Sequence, residues 1–221
     1  MVGMSTDHEY DSVALVPESI VRPFARAALL AALTGAVAFV SIPIPFSPAP
    51  LTLQVLFVFL AGLYLGPVWG SVSLLLYLTA GGAGAPIFAG GHAGIGHLFG
   101  KTGGFLWSYP IAAFVIGALV HGRTGFGFGS IDPTADETPS GGFFDSLEVR
   151  DPATVGLGRL VVALSVGTLI VYAIGAGYAM WLLSLSPVEA VAQFVAPFVI
   201  GEVLKMAATI ALVRDGRYEL S

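Results

Sequence analysis

Residues 77–107 read YLTAGGAGAPIFAGGHAGIGHLFGKTGGFLW, and the placing of this stretch decides the fold. It is rich in glycine, carries His92, His97 and Lys101, and lies between long apolar runs. A glycine-rich connection loses much backbone entropy on ordering and offers few side chains to bury. Core packing does not account for it. The reading adopted is a lid and wall over a small-molecule site at one face of a membrane protein.

The composition names the solvent. Of 221 residues, 56% are hydrophobic and 10% charged, and the mean hydropathy is +0.87. Soluble domains carry roughly 25% charged residues. So few charges cannot cover a surface in water, and the apolar runs are long enough to cross a bilayer as helices. The runs are continuously apolar rather than alternating, which argues against a membrane β-barrel. Without cysteine there is no disulfide or thiolate chemistry, and the net charge of −5 argues against a nucleic-acid partner. The first residues are polar and acidic with no A-x-A pattern, so a cleaved signal peptide is not expected.

Outward from the glycine-rich stretch, the chain reads as an all-α membrane protein with six transmembrane helices. Residues 1–21 form an acidic tail, 22–213 the membrane domain and 214–221 a C-terminal tail. Helices are expected over about Pro23–Ser41, Leu51–Leu65, Val68–Ala80, Gly104–Val120, Leu157–Leu185 and Pro187–Val213. The proline-rich IPIPFSPAP (Ile42–Pro50) cannot continue a helix and reads as a stiff extended turn. Gly66-Pro67 turns the second helix into the third. Gly62, Gly66 and Gly70 permit close contact where they stay helical, and Thr52 and Gln54 read as structural hydrogen-bonding groups. Residues 122–156 hold six acids against two bases and read as a solvated loop.

Six helices put both termini on one side. Arg22, Arg26, Arg123, Arg150, Arg159, Arg214 and Arg217 are seven of the nine bases and all fall at the termini or the 122–156 loop and its flank. Those regions are therefore cytosolic, and the glycine-rich and proline-rich loops face outward. The same cytosolic regions carry twelve acids, which suggests a salt-rich cytoplasm.

Several residues are candidates for chemistry. Glu202 and Lys205 lie three apart in the last apolar helix, as a self-satisfied ion pair or as an acceptor and a cation in a ligand pocket. Lys101 in GKTGG fails the phosphate-loop pattern, because the required preceding glycine is Ile95. It remains a solvated loop cation or a partner for a carboxylate, beside Thr102 and the amides of Gly103 and Gly104. His92 and His97 lack further metal ligands nearby, so no metal is expected; His92 reads equally as a ligand contact or a plain loop residue. Phe88, Phe105, Trp107 and Tyr109 could wall an apolar pocket or form the aromatic belt at the interface, with the belt the default reading for Trp107 and Tyr109. On the first helix Ala27, Ala28, Ala31 and Ala32 give a double small-xxx-small pattern, for internal packing or for seating another protein's helix. No nucleotide motif is present, so no cofactor is expected.

The order PAPLTLQ (Pro48–Gln54), LAGLYLGPVWG (Leu60–Gly70), GAPIFAGG (Gly84–Gly91), GKTGGF (Gly100–Phe105) and PFVIGEVLK (Pro197–Lys205) resembles the BioY family. Its members are biotin-binding S components of energy-coupling-factor (ECF) transporters. The resemblance covers about Arg22 to Val213. It implies capture of biotin from outside by a multi-pass plasma-membrane protein without catalysis of its own. The implied partners are a transmembrane coupling subunit, seated on positions among Ala27, Ala28, Ala31 and Ala32, and two cytosolic ATPases. It also implies that Glu202 and Lys205 contact ligand. The family's usual aspartate is Glu202 here, its loop proline is Lys101 and its loop tyrosine is Phe105. A ligand-contacting asparagine of some members falls at His92. An arginine of some members falls at Leu106, so Lys101 is a candidate substitute. An S component or solo transporter for another vitamin is the nearer alternative, and an intramembrane hydrolase the remote one, since no histidine pairs with a serine motif.

Overall fold

The computed structural model of the protein describes residues 18–122 and 149–215. Most of the expected tails and of the 122–156 loop, with all of their acids but Glu18, Asp151 and Asp215, and with Arg123 and Arg217, lies outside the described residues. Among the described residues the regular structure is helical apart from one short ladder and an isolated bridge between Phe88 and His92. Its helices are α1 (Glu18–Val37), α2 (Gln54–Gly82), α3 (Ile95–Leu98), α4 (Gly103–His121), α5 (Leu157–Leu183), α6 (Pro187–Phe194) and α7 (Val199–Asp215). Five helical stretches are long and apolar enough to cross a membrane, with α6 and α7 counted together.

One of the five, α2, is two helices. Gly66 has φ 74° and ψ −174°, a region open essentially to glycine alone, and Pro67 follows it. Gln54 Nε2 donates to the Tyr77 hydroxyl at 2.5 Å, although the two residues are 23 apart. In a straight helix that separation is roughly 34 Å. The limbs 54–65 and 67–82 therefore run antiparallel, and the count of six membrane helices stands. A Cβ on Gly70 would lie 2.7 Å from the Ala61 carbonyl oxygen of the other limb, so the limbs touch backbone to backbone.

Breaking a helix at proline orphans a carbonyl, because Pro67 has no N–H to give Leu63. His121 at the end of α4 supplies the donor: its Nε2 lies 3.0 Å from the Leu63 oxygen. The hairpin tip also rests on Gly117, where a Cβ would overlap the Pro67 nitrogen. At this same end Arg159 donates to the Leu119 carbonyl at 2.6 Å. Arg214 donates to the carbonyls of Ala153 and Val155 at 3.3 and 2.8 Å. The arginines that set the cytosolic side thus gather the ends of α4, α5 and α7.

Element boundaries differ from expectation in three places. α1 takes Pro23 within its early turns and ends at Val37, after which Ser41–Ile42 (β1) pairs antiparallel with Leu51–Thr52 (β2). This two-residue ladder closes the proline-rich loop, which was expected only as an extended turn. The helix entering the glycine-rich stretch runs two residues past the expected Ala80, to Gly82, and the stretch contains the short α3. The last crossing is broken, because Pro197 falls inside a 3-10 turn over Ala196–Phe198.

The alanines of α1 divide between two faces. Ala27 is fully buried against Leu65 and Trp69, and the Ser73 hydroxyl donates to its carbonyl at 2.8 Å. Ala31 packs into the main core. Ala28 is half-buried and Ala32 exposed, in line with exposed Ala25 and Ala36. Half of the expected seat is therefore used in internal packing.

Candidate functional site

A cavity of about 380 Å3 lies at the outward end of the bundle. Small-molecule sites typically measure roughly 300–1000 Å3. Its roof is the proline-rich loop, its side the glycine-rich loop, and its walls are α4, α5 and the broken α6–α7 crossing. The break at Pro197 puts Phe194 and Phe198 on the cavity and directs α7 so that Glu202 and Lys205 line it.

Those two residues form the polar floor. Lys205 Nζ lies 2.7 Å from Glu202 Oε1, with both side chains almost fully buried. The Tyr172 hydroxyl on α5 donates to the same oxygen at 3.0 Å. Glu202 Oε2 is buried and has no hydrogen-bond partner among the described residues. A carboxylate oxygen with no donor in low dielectric is costly, so the natural complement is a ligand N–H. Gln54 stands nearby on the cavity lining. Its amide oxygen accepts from Thr52 at 3.2 Å and its nitrogen donates one hydrogen to Tyr77, which leaves a second N–H.

The mouth is basic. Lys101 and His92 are exposed and line the cavity together with Thr102 and His97. The two imidazoles stack with centroids 5.0 Å apart, and His97 stacks in turn on Phe88 at 5.2 Å. Burial, and then the neighbouring His92, hold the His97 imidazole below its ordinary value, so it is neutral at pH 7. Consecutive left-handed glycines, Gly90 (φ 73°) and Gly91 (φ 78°), fold the loop back so that His92 faces the cavity. The Gly90 amide is anchored on the Ala38 carbonyl at 3.0 Å.

Between floor and mouth the wall is aromatic. Phe105 packs edge-on against Tyr172 at 5.8 Å and stacks on Phe194 at 6.1 Å. It sits so close to Gly175 on α5 that a Cβ there would overlap the ring. Such amphipathic walls fit a flat apolar ligand body.

Of the candidate residues, Lys205, Glu202, Lys101, His92, Phe105 and Thr102 are brought together on this cavity. Two are not on it. Phe88 is completely buried, fills the space left by Gly81, and meets Tyr77 edge-on at 5.6 Å. It supports the loop from behind. Gly104 packs α4 against Tyr178 of α5, where a side chain would overlap. Tyr109, read by default as a belt residue, is buried and lines the cavity, because it lies on the face of α4 turned into the bundle, nearly opposite Trp107. Trp107 remains partly exposed, its Nε1 donating to the Leu98 carbonyl at 3.1 Å. The sequence reading did not assign Tyr172, Phe194 or Phe198 to the site, and treated Gln54 as structural. The available signal was a buried amide and a hydroxyl inside otherwise apolar helices.

A family model described as the BioY family matches residues 7–220. A protein of Lactococcus lactis subsp. cremoris named Biotin transporter BioY is 26% identical over 185 residues, covering 81% of this chain and 83% of that one. A protein of Pyrococcus horikoshii named Probable biotin transporter BioY is 51% identical over 90 residues, 41% of this chain and 54% of that one. For Biotin transporter BioY of Thermotoga maritima the figures are 39% over 106 residues, 48% and 62%. The match thus spans a little over half the length of these last two relatives. Among solved structures, the S-component for biotin from an ECF-type ABC transporter superposes with a TM-score of 0.70 at 23% identity, over 93% of this chain and 95% of that one. At that identity the likeness establishes the fold.

Proposed function

The chain belongs to the BioY family, and on that premise we propose that it is the biotin-capturing S component of an ECF-type transporter. The observation that carries this reading is the outward cavity with Glu202 and Lys205 on its floor and Glu202 Oε2 buried without a hydrogen-bond partner among the described residues. Biotin combines a cyclic urea with N–H donors and a carbonyl, an apolar ring and a carboxylate-tipped chain. One urea N–H meets Glu202 Oε2, and the urea carbonyl accepts from Lys205 or the spare Gln54 N–H. The apolar ring lies along Phe105, Phe194 and Phe198. Because Lys205 is already bonded to Glu202, the ligand carboxylate turns outward to Lys101, with His92 and His97 beside it.

The helical chain carries out no catalysis in this reading; its named relatives are transporters. It sits in the plasma membrane and works with a transmembrane coupling subunit and two cytosolic ATPases. The outward-facing Ala28 and Ala32 support a flat seat on α1 for the coupling subunit, in line with Ala25 and Ala36.

Binding of labelled biotin to the purified full chain tests the substrate. The wild-type protein should bind, and Lys101→Ala should weaken biotin at least tenfold while leaving the neutral biotin amide nearly unchanged. If wild type fails to bind biotin, the substrate assignment is wrong; equal losses for both ligands remove Lys101 from the carboxylate. Co-purification with ATPase subunits separates an S component from a solo transporter.

Gly175 sets the width of this site. In Gly175→Ala the new methyl occupies part of the Phe105 ring's position, and the ring, held between Tyr172 and Phe194, moves into the cavity. Equilibrium binding should show biotin affinity reduced by about tenfold or more, consistent with an overpacking penalty of ~1–3 kcal/mol. The smaller Phe105→Leu in the same background should recover much of it.

A further inference from the structure

We propose that Tyr172 is a positioning residue that assigns separate roles to the two oxygens of Glu202; the ligand part of this proposal rests on the biotin reading. Glutamate carries a longer and freer side chain than aspartate, and a carboxylate that rotates presents either oxygen to a ligand. Here two donors converge on one oxygen. Tyr172 Oη lies 3.0 Å and Lys205 Nζ 2.7 Å from Oε1, while Oε2 has no partner among the described residues. The donors come from different helices, α5 and α7, so a rotation of the carboxylate breaks both bonds at once.

Tyr172 is itself fixed. Its ring stands edge-on to Phe105 at 5.8 Å and tilted against Phe198 at 6.4 Å. The hydroxyl has one hydrogen, and that hydrogen is committed to Glu202. Tyr172 therefore acts on the ligand chiefly through Glu202: it holds Oε1 out of service and leaves Oε2 as the carboxylate's unpaired oxygen. A site so arranged reads an N–H donor at one fixed point and discriminates against a ligand that has a methyl there.

The test uses Tyr172→Phe, which keeps the ring and both aromatic contacts. In the purified full chain, biotin affinity should fall about tenfold, because a carboxylate no longer held by Tyr172 must be fixed at the expense of binding. Preference for biotin over a ureido N-methylated biotin should narrow by a similar factor, which loss of packing alone would not cause. In a Glu202→Asp background, where the shorter side chain withdraws from the hydroxyl, Tyr172→Phe should change binding less than twofold. A ligand-independent arm measures thermal inactivation of Tyr172→Phe, Glu202→Gln and the double variant. Non-additive midpoints support the coupling, and additive ones overturn it whatever the protein binds. Unchanged biotin affinity and unchanged preference in Tyr172→Phe would likewise overturn it, whereas failure of wild type to bind biotin strikes the substrate reading and leaves the coupling to the thermal arm.

Discussion

Glu202→Ala should destabilise the protein by about 3–5 kcal/mol and remove biotin binding together, whereas Glu202→Met combined with Lys205→Met should remove binding alone. The asymmetry follows from where the pair sits. Lys205 Nζ and Glu202 Oε1 are 2.7 Å apart, with side chains 6% and 5% exposed. Removing one partner leaves an uncompensated charge in low dielectric, the source of the large penalty, while replacing both with apolar groups of similar volume is often neutral. Lys205→Ala should be the milder single change, because the remaining carboxylate keeps the Tyr172 hydroxyl as a donor. Thermal inactivation midpoints and biotin binding across the three variants separate the two roles. If the double methionine variant still captures biotin, the pair serves packing and the ligand is held elsewhere.

The helical plan was legible because long apolar runs, a proline-rich break and Gly66-Pro67 are local signals, each readable without knowing what lies opposite. The same holds for the arginines that orient the chain. The site was legible only in part. Glu202, Lys205 and Lys101 stand out as charges where charge is scarce, so chemistry alone picked them. Tyr172 does not stand out: its meaning lies in Glu202, 30 residues away on another helix. Phe88 reads as a candidate pocket wall within a glycine-rich loop, yet the missing side chain of Gly81 gives it a buried socket that sequence spacing does not reveal. Tyr109 reads as a belt residue by its nearness to a helix end, but its place on the inward face of α4, nearly opposite Trp107, depends on packing partners that spacing does not name. The break at Pro197 was hidden because hydropathy stays high through it, even though that break is what turns Phe194 and Phe198 into the cavity.

The largest effect on folding should come from Gly117→Val, far from any ligand. Gly117 on α4 receives the tip of the α2 hairpin so closely that a Cβ would overlap the Pro67 nitrogen and crowd the Gly66 carbonyl carbon at 2.6 Å. These are backbone atoms, so no rotamer change relieves the clash; the limbs must lift away from α4. Lifting them also separates His121 from the Leu63 carbonyl that Pro67 cannot serve, which leaves a buried acceptor unpaired at a further ~1–3 kcal/mol. Overpacking itself costs about 1–3 kcal/mol where side chains can yield, and backbone yields less. Gly117→Val should therefore fail to give monodisperse protein in detergent, and Gly117→Ala should be damaged in the same direction. The control is Gly177→Val on α5, where an added Cβ meets nothing within 4 Å; it should change the thermal midpoint little, as surface substitutions do. Equal behaviour of the two valine variants would mean that the hairpin tip does not dock on α4, and with it would go the antiparallel limbs that bring Gln54 to Tyr77 beneath the cavity.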